Sequence, residues 1–138
     1  PEIEAAIGRE QLKKLPKFVK KRRENAKRLT KKLENAANLQ LPVEPTGFRC
    51  SWYLYTVQLR NAKADKRDKL VDQLKKNGIG AFVCYMNPIH MMQYYRKFGA
   101  HRLPVTEKAS KQVFSLPVHP GVKPEQIDFI GDTVLRLL

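Results

Sequence analysis

Three features of the chain predict an α+β fold, a small antiparallel β-sheet covered by helices and preceded by a long N-terminal helix. Residues 2–37 repeat apolar side chains at helical spacing; stretches 51–59 and 79–85 are aromatic and β-branched; and the chain ends in a second helical pattern behind a proline. The length of 138 residues suffices for one domain with a modest core.

The first helix rests on Ile3, Ile7, Leu12, Leu15, Val19, Ala26, Leu29, Leu33 and Ala37, spaced mostly by three, four or seven. Pro16 has no backbone donor and is expected to bend or split it near residues 13–15, and the helix should stop around Asn35–Asn38. A loop with Pro42, Pro45 and Gly47 follows. Residues 51–59 then read as a buried strand. Asp65 is placed to cap a helix over 66–76 that ends at Asn77-Gly78. Residues 79–85 read as a second strand, broken by Asn87-Pro88. A short helix around 91–98 ends at Gly99, another begins at Thr106-Glu107 and runs to about Gln112, and 113–116 form a third strand. His119-Pro120-Gly121 is a turn, and Pro124 opens the last helix with Ile127, Ile130, Val134 and Leu137 on one side. The division is a linking helix over 1–38 and a small domain over 48–138.

An apolar fraction of 42% beside 29% charged residues fits a globular chain, and no apolar run is long enough to cross a bilayer. The opening residues have no basic n-region, so a cytoplasmic protein is expected. Cys50 and Cys84 lie in apolar stretches and are expected to be buried thiols. The net charge is +14, concentrated in residues 9–34, where twelve basic residues face three glutamates. That patch reads as a solvated helix face; the alternative is a nucleic-acid-binding or regulatory module using residues 9–34.

The chain has no phosphate-binding glycine loop, nucleophile elbow or zinc-protease motif. Its histidines His90, His101 and His119 match no metal spacing, and no metal site is expected. One segment holds chemistry, Tyr85-Met86-Asn87-Pro88-Ile89-His90-Met91-Met92-Gln93-Tyr94-Tyr95-Arg96. Tyr85, Asn87 and His90 follow a strand on a loop that can project polar groups into a cleft, where His90 can meet a phosphate or sugar oxygen. Residue chemistry alone favours a plainer reading, in which His90 caps the helix and the Met and Tyr side chains fill the core.

The order of the segments adds to this. Pro1-Glu2-Ile3-Glu4-Ala5-Ala6-Ile7-Gly8 with Gln11-Leu12, then Ser51-Trp52-Tyr53-Leu54-Tyr55, then Asn87-Pro88-Ile89-His90 with Tyr94-Tyr95-Arg96, then Leu103-Pro104-Val105-Thr106-Glu107, and last Ser115-Leu116-Pro117-Val118-His119-Pro120, span almost the whole chain. In that order they resemble the DegT/StrS family of pyridoxal-phosphate sugar aminotransferases. The resemblance implies the C-terminal domain of a fold-type-I transferase, which moves an amino group, usually from glutamate, to a nucleotide-linked keto sugar. It also implies that the cofactor's lysine belongs to an N-terminal domain outside these residues, so this chain should neither bind pyridoxal phosphate nor catalyse alone. Tyr85, Asn87 and His90 become candidates for the nucleotide sugar, with no catalytic residue, and a homodimer is expected. Tyr53 stands where many members carry His, and Asn87 where Pro is frequent; both departures bear on which sugar is accepted. Exposed apolar positions within 3–19 would then form an interface through which the chain self-associates.

Overall fold

Twenty buried apolar side chains, contributed by every strand and by α1, α2 and α5, make one core in the computed structural model, which describes residues 1–138. The elements run α1 (Glu2–Leu33), β1 (Leu39–Gln40), β2 (Tyr55–Leu59), α2 (Ala64–Lys76), a 3-10 turn (Ile89–Met91), α3 (Gln93–Arg96), α4 (Pro104–Ser110), β3 (Val113–Leu116) and α5 (Pro124–Leu137). The sheet is antiparallel throughout, in the order β1-β2-β3. Tyr55 pairs with Leu116 and Val57 with Phe114, so the alternate side chains Tyr55, Val57 and Leu59 all point into the core. This is the expected α+β architecture. No helix is long and apolar enough to cross a membrane.

Only the second half of α1 is packed. Ala26, Leu29 and Leu33 are buried, whereas residues 2–17 are exposed. Pro16 does not split the helix. The carbonyl of Leu12, which loses its donor, lies on an exposed turn where water can replace the missing bond. The helix stops at Leu33, a turn earlier than its apolar pattern suggests, and Leu39–Gln40 forms an edge strand against Leu59 and Gln58. Two residues are too few to show a period.

Alongside α1 runs α5. Arg28 chelates Asp128 through Nε and Nη2, and Lys32 reaches Asp132 at 2.9 Å. One helical turn later on both partners, the same pairing recurs, so the two helices are parallel. Asn25, buried, donates its amide to the carbonyls of His119 and Val122, tying α1 to the turn before α5. Pro124 occupies the first turn of α5 as expected.

Several expectations are corrected. Strand β2 begins at Tyr55, not at residue 51, because Trp52 adopts a left-handed backbone (φ 51°) that breaks the extended run. Residues 79–85 do not form a strand. The Ala81 amide turns back to the Ile79 carbonyl (2.8 Å), leaving Phe82 alone to bridge Ser115. Asp65 lies inside the first turn of α2 and does not cap it; the N-cap is Lys63, without a side-chain bond. The helix end at Asn77-Gly78 stands, with Gly78 at φ +77°. The helix expected over 91–98 is divided into a 3-10 turn and α3, and ends before Gly99. Helix α4 starts at Pro104, two residues early, because Glu107 reaches back to the Leu103 amide at 2.9 Å. Neither thiol is buried: Cys50 is half-buried and Cys84 exposed, since neither lies on a paired strand.

Candidate functional site

The segment that holds the sequence chemistry surrounds a groove of about 700 Å³. One wall comes from Leu54, Thr56 and Val113, at or beside the paired strands β2 and β3. Cys84, Tyr85, Pro88, Ile89 and His90 form a second wall, Tyr95 and Phe98 a third, and Leu103, Thr106 and Ala109 of the α4 region close it. The 3-10 turn follows the buried Pro88, and the backbone N–H groups of Met91 and Met92 donate to the Pro88 and Ile89 carbonyls.

Of the three candidate residues, the fold brings two together. Tyr85 and His90 line the groove; Asn87 is exposed and lies outside its lining. The His90 side chain is about 10% exposed and its Nε2 stands 3.2 Å from Glu107 Oε1. That oxygen also accepts the Leu103 amide, and the two donors hold the Glu107 carboxyl below the usual carboxylate range, the amide having the larger effect. His90 is therefore bonded across elements and does not cap its own helix. The methionines and tyrosines of the segment do not fill the core either: Tyr85, Met86, Met91, Met92, Tyr94 and Tyr95 are all exposed. Sequence alone assigns Glu107 no role in the site, although it lies in the Leu103-Pro104-Val105-Thr106-Glu107 segment. Its partner is 17 residues away, a separation that no local pattern reveals.

The groove has no lysine, arginine or acidic residue in its lining. A pyridoxal-phosphate ring needs an amine for its Schiff base; this lining offers hydroxyls and imidazoles but no lysine, and does not fit the cofactor. No three His, Cys, Asp or Glu side chains come together as metal ligands.

A second concavity lies between α1 and the 42–52 loop, lined by Lys20, Arg23, Lys27, Lys31 and Arg49 against Glu24, Glu34 and Glu44, with Trp52 at one side. Here Arg23 grips both Glu44 oxygens at 2.6 and 2.8 Å and also donates to the Cys50 carbonyl. Part of the positive charge is thus spent on holding the loop. Of the lysines of α1, Lys13, Lys14, Lys17, Lys20, Lys27 and Lys31 are exposed, as expected for a helix face, whereas Lys21 and Lys32 are half-exposed and paired with Glu24 and Asp132.

Residues 1–135 match the DegT/DnrJ/EryC1/StrS aminotransferase family. Over 137 residues the chain is 32% identical to a pleiotropic regulatory protein of Geobacillus stearothermophilus, covering 96% of this chain and 36% of that protein. It is 33% identical to dTDP-4-dehydro-2,3,6-trideoxy-D-glucose 4-aminotransferase of Saccharopolyspora spinosa, covering 95% of this chain and 33% of the relative. Among solved structures it is similar to Helicobacter pylori PseC, an aminotransferase involved in the biosynthesis of pseudaminic acid, with a TM-score of 0.90, 28% identity and coverage of 99% and 37%. The chain therefore spans about a third of the length of the relatives it matches. The ordered motifs and the fold agree, and this chain belongs to the DegT/DnrJ/EryC1/StrS aminotransferase family.

Proposed function

We propose that this chain is the substrate-closing part of a pyridoxal-phosphate aminotransferase that moves an amino group, from glutamate, to a nucleotide-linked keto sugar. The observation that carries the reading is the groove, in which Tyr85 and a bonded His90 face aromatic and apolar walls. Polar groups few in number and fixed in direction, on an otherwise apolar wall, suit a sugar ring. Tyr85 and His90 contact the sugar, and Asn87 acts at the rim. The chain supplies no Schiff-base lysine to this groove, so it binds and closes, while the electron sink stays with the cofactor elsewhere. The working enzyme is a homodimer in the cytoplasm. The family match does not favour a nucleic-acid module on residues 9–34.

Nuclear magnetic resonance with uridine diphosphate glucose as probe tests the reading. Expected are shifts at Tyr85 and His90, and no amino transfer when the chain is supplied with pyridoxal phosphate, glutamate and a nucleotide-linked keto sugar. Shifts confined to the α1 groove, or turnover by this chain alone, would overturn it.

A further inference from the structure

One carboxylate oxygen serves two elements. Glu107 Oε1 accepts the amide of Leu103, which starts α4, and meets Nε2 of His90 from the 3-10 turn. An ionised carboxylate has only lone pairs to offer, so the hydrogen in the contact belongs to Nε2. A neutral imidazole with its hydrogen on Nε2 carries a bare lone pair on Nδ1. That Nδ1 has no partner in the protein, and it is not sealed from solvent, since the sole sealed and unpartnered side-chain polar atom is Arg22 Nε. The His90 ring therefore offers an acceptor. A hydroxyl satisfies an acceptor; a phosphate oxygen, itself an acceptor, does not. The absence of lysine and arginine from the lining points the same way.

We propose that Glu107 is a positioning residue that fixes His90 in the Nε2–H tautomer, so that Nδ1 accepts a hydroxyl of the sugar while the diphosphate lies outside this groove. The inference rests on the groove being the sugar site, and its test separates the two ideas. In nitrogen-15 spectra of the whole chain at about pH 8, where an imidazole is neutral, His90 is expected to show a protonated Nε2 and a bare Nδ1. Glu107→Gln keeps an oxygen for both donors and should keep the tautomer. Glu107→Ala should mix the two tautomers and weaken uridine diphosphate glucose by about fivefold in Kd, the loss of roughly one hydrogen bond. A wild-type ring protonated on Nδ1 overturns the proposal, even if the alanine variant fails to fold. So does an unchanged tautomer in a folded Glu107→Ala chain. The sugar nucleotide should move the His90 resonances and uridine diphosphate alone should not; movement by the diphosphate alone overturns the hydroxyl assignment. If neither probe moves any groove resonance while the Nε2–H tautomer is observed, the sugar-site reading fails and the positioning role of Glu107 survives.

Discussion

Arg67 is the largest side chain fully withdrawn from solvent. Its Nη1 donates to the carbonyls of Ser110 (2.8 Å) and Val113 (2.7 Å), and its Nε lies 2.6 Å from Asp68. It thus stitches α2 to the turn between α4 and β3, the same turn that ends one wall of the groove. Arg67→Met should cost about 2–4 kcal/mol in urea unfolding, because a buried carbonyl at Ser110 and a part-buried one at Val113 lose their donor. Lysine should recover little, since one ammonium lacks the planar fork. Glu44 gives a pH signature. The Arg23 guanidinium, followed by the Cys50 amide, lowers its carboxyl from 4.5 to about 2. A depressed carboxyl stabilises the fold above its unfolded value, and the contribution is lost as pH falls through the folded one. The 42–52 loop should therefore release from α1 between about pH 4.5 and 2, read as a Trp52 fluorescence change; in Glu44→Gln that acid-dependent step should vanish. Residues of this kind were hidden in the sequence. An arginine inside a helix rich in Asp and Lys looks like solvated charge, and a glutamate looks like one more surface carboxylate. Tyr85 and His90 stood out through the ordered motifs that the chain shares with the family; their local chemistry alone fits a helix cap and a core.

Close approach governs the packing of the helices. A Cβ built on Gly131 would overlap the Cγ of Lys32 and lie 3.1 Å from its Cβ, atoms too near the α1 backbone to swing away. Gly131→Ala gains about 1 kcal/mol of helix propensity but forces the two helices apart, a strain of about 1–3 kcal/mol. The expected net is a lower thermal midpoint. Adding Lys32→Ala removes the Cγ and should return part of the loss, an interaction that a double-mutant cycle detects. Helical elements were largely legible, since a 3.6-residue period persists over many turns: α1, α2 and α5 lie close to where apolar spacing puts them. Strand lengths were not. Residues 79–85 have strand composition, yet a tight turn at Ala81 spends their backbone locally, and whether a β-prone segment finds a partner depends on tertiary context.

For the whole molecule, the telling asymmetry is between the two halves of α1. Ile3 is 78% and Ile7 58% exposed, on the face that Leu29 and Leu33 bury farther along. The same half carries Glu2 and Glu4 at its start and Lys13, Lys14 and Lys17 near its middle. Two copies laid antiparallel would match apolar with apolar and acid with base. Sedimentation velocity should show a concentration-dependent dimer that Ile7→Glu abolishes; a monomer across a wide concentration range removes the pairing. The domain's outline and its family were readable from ordered motifs. The groove's sign was not, because an absence of lysine and arginine appears only once the fold has chosen which residues face one another.

The unsupported part of α1 also has a mechanical consequence. Between Ile3 and Phe18 it extends about 22 Å at 1.5 Å per residue. It behaves as a lever whose fulcrum is the clamped stretch from Asn25 to Leu33. The arm from Asn25 to Ile3 is about 33 Å at 1.5 Å per residue, and a rotation of about 5° at that fulcrum sweeps the tip through about 3 Å, so the tightness of the Arg28–Asp128 and Lys32–Asp132 seam sets the aim of residues far from it. Loosening one ion pair there would be felt first at the far end, as a blurred position of Ile3, before the core registered any loss of stability.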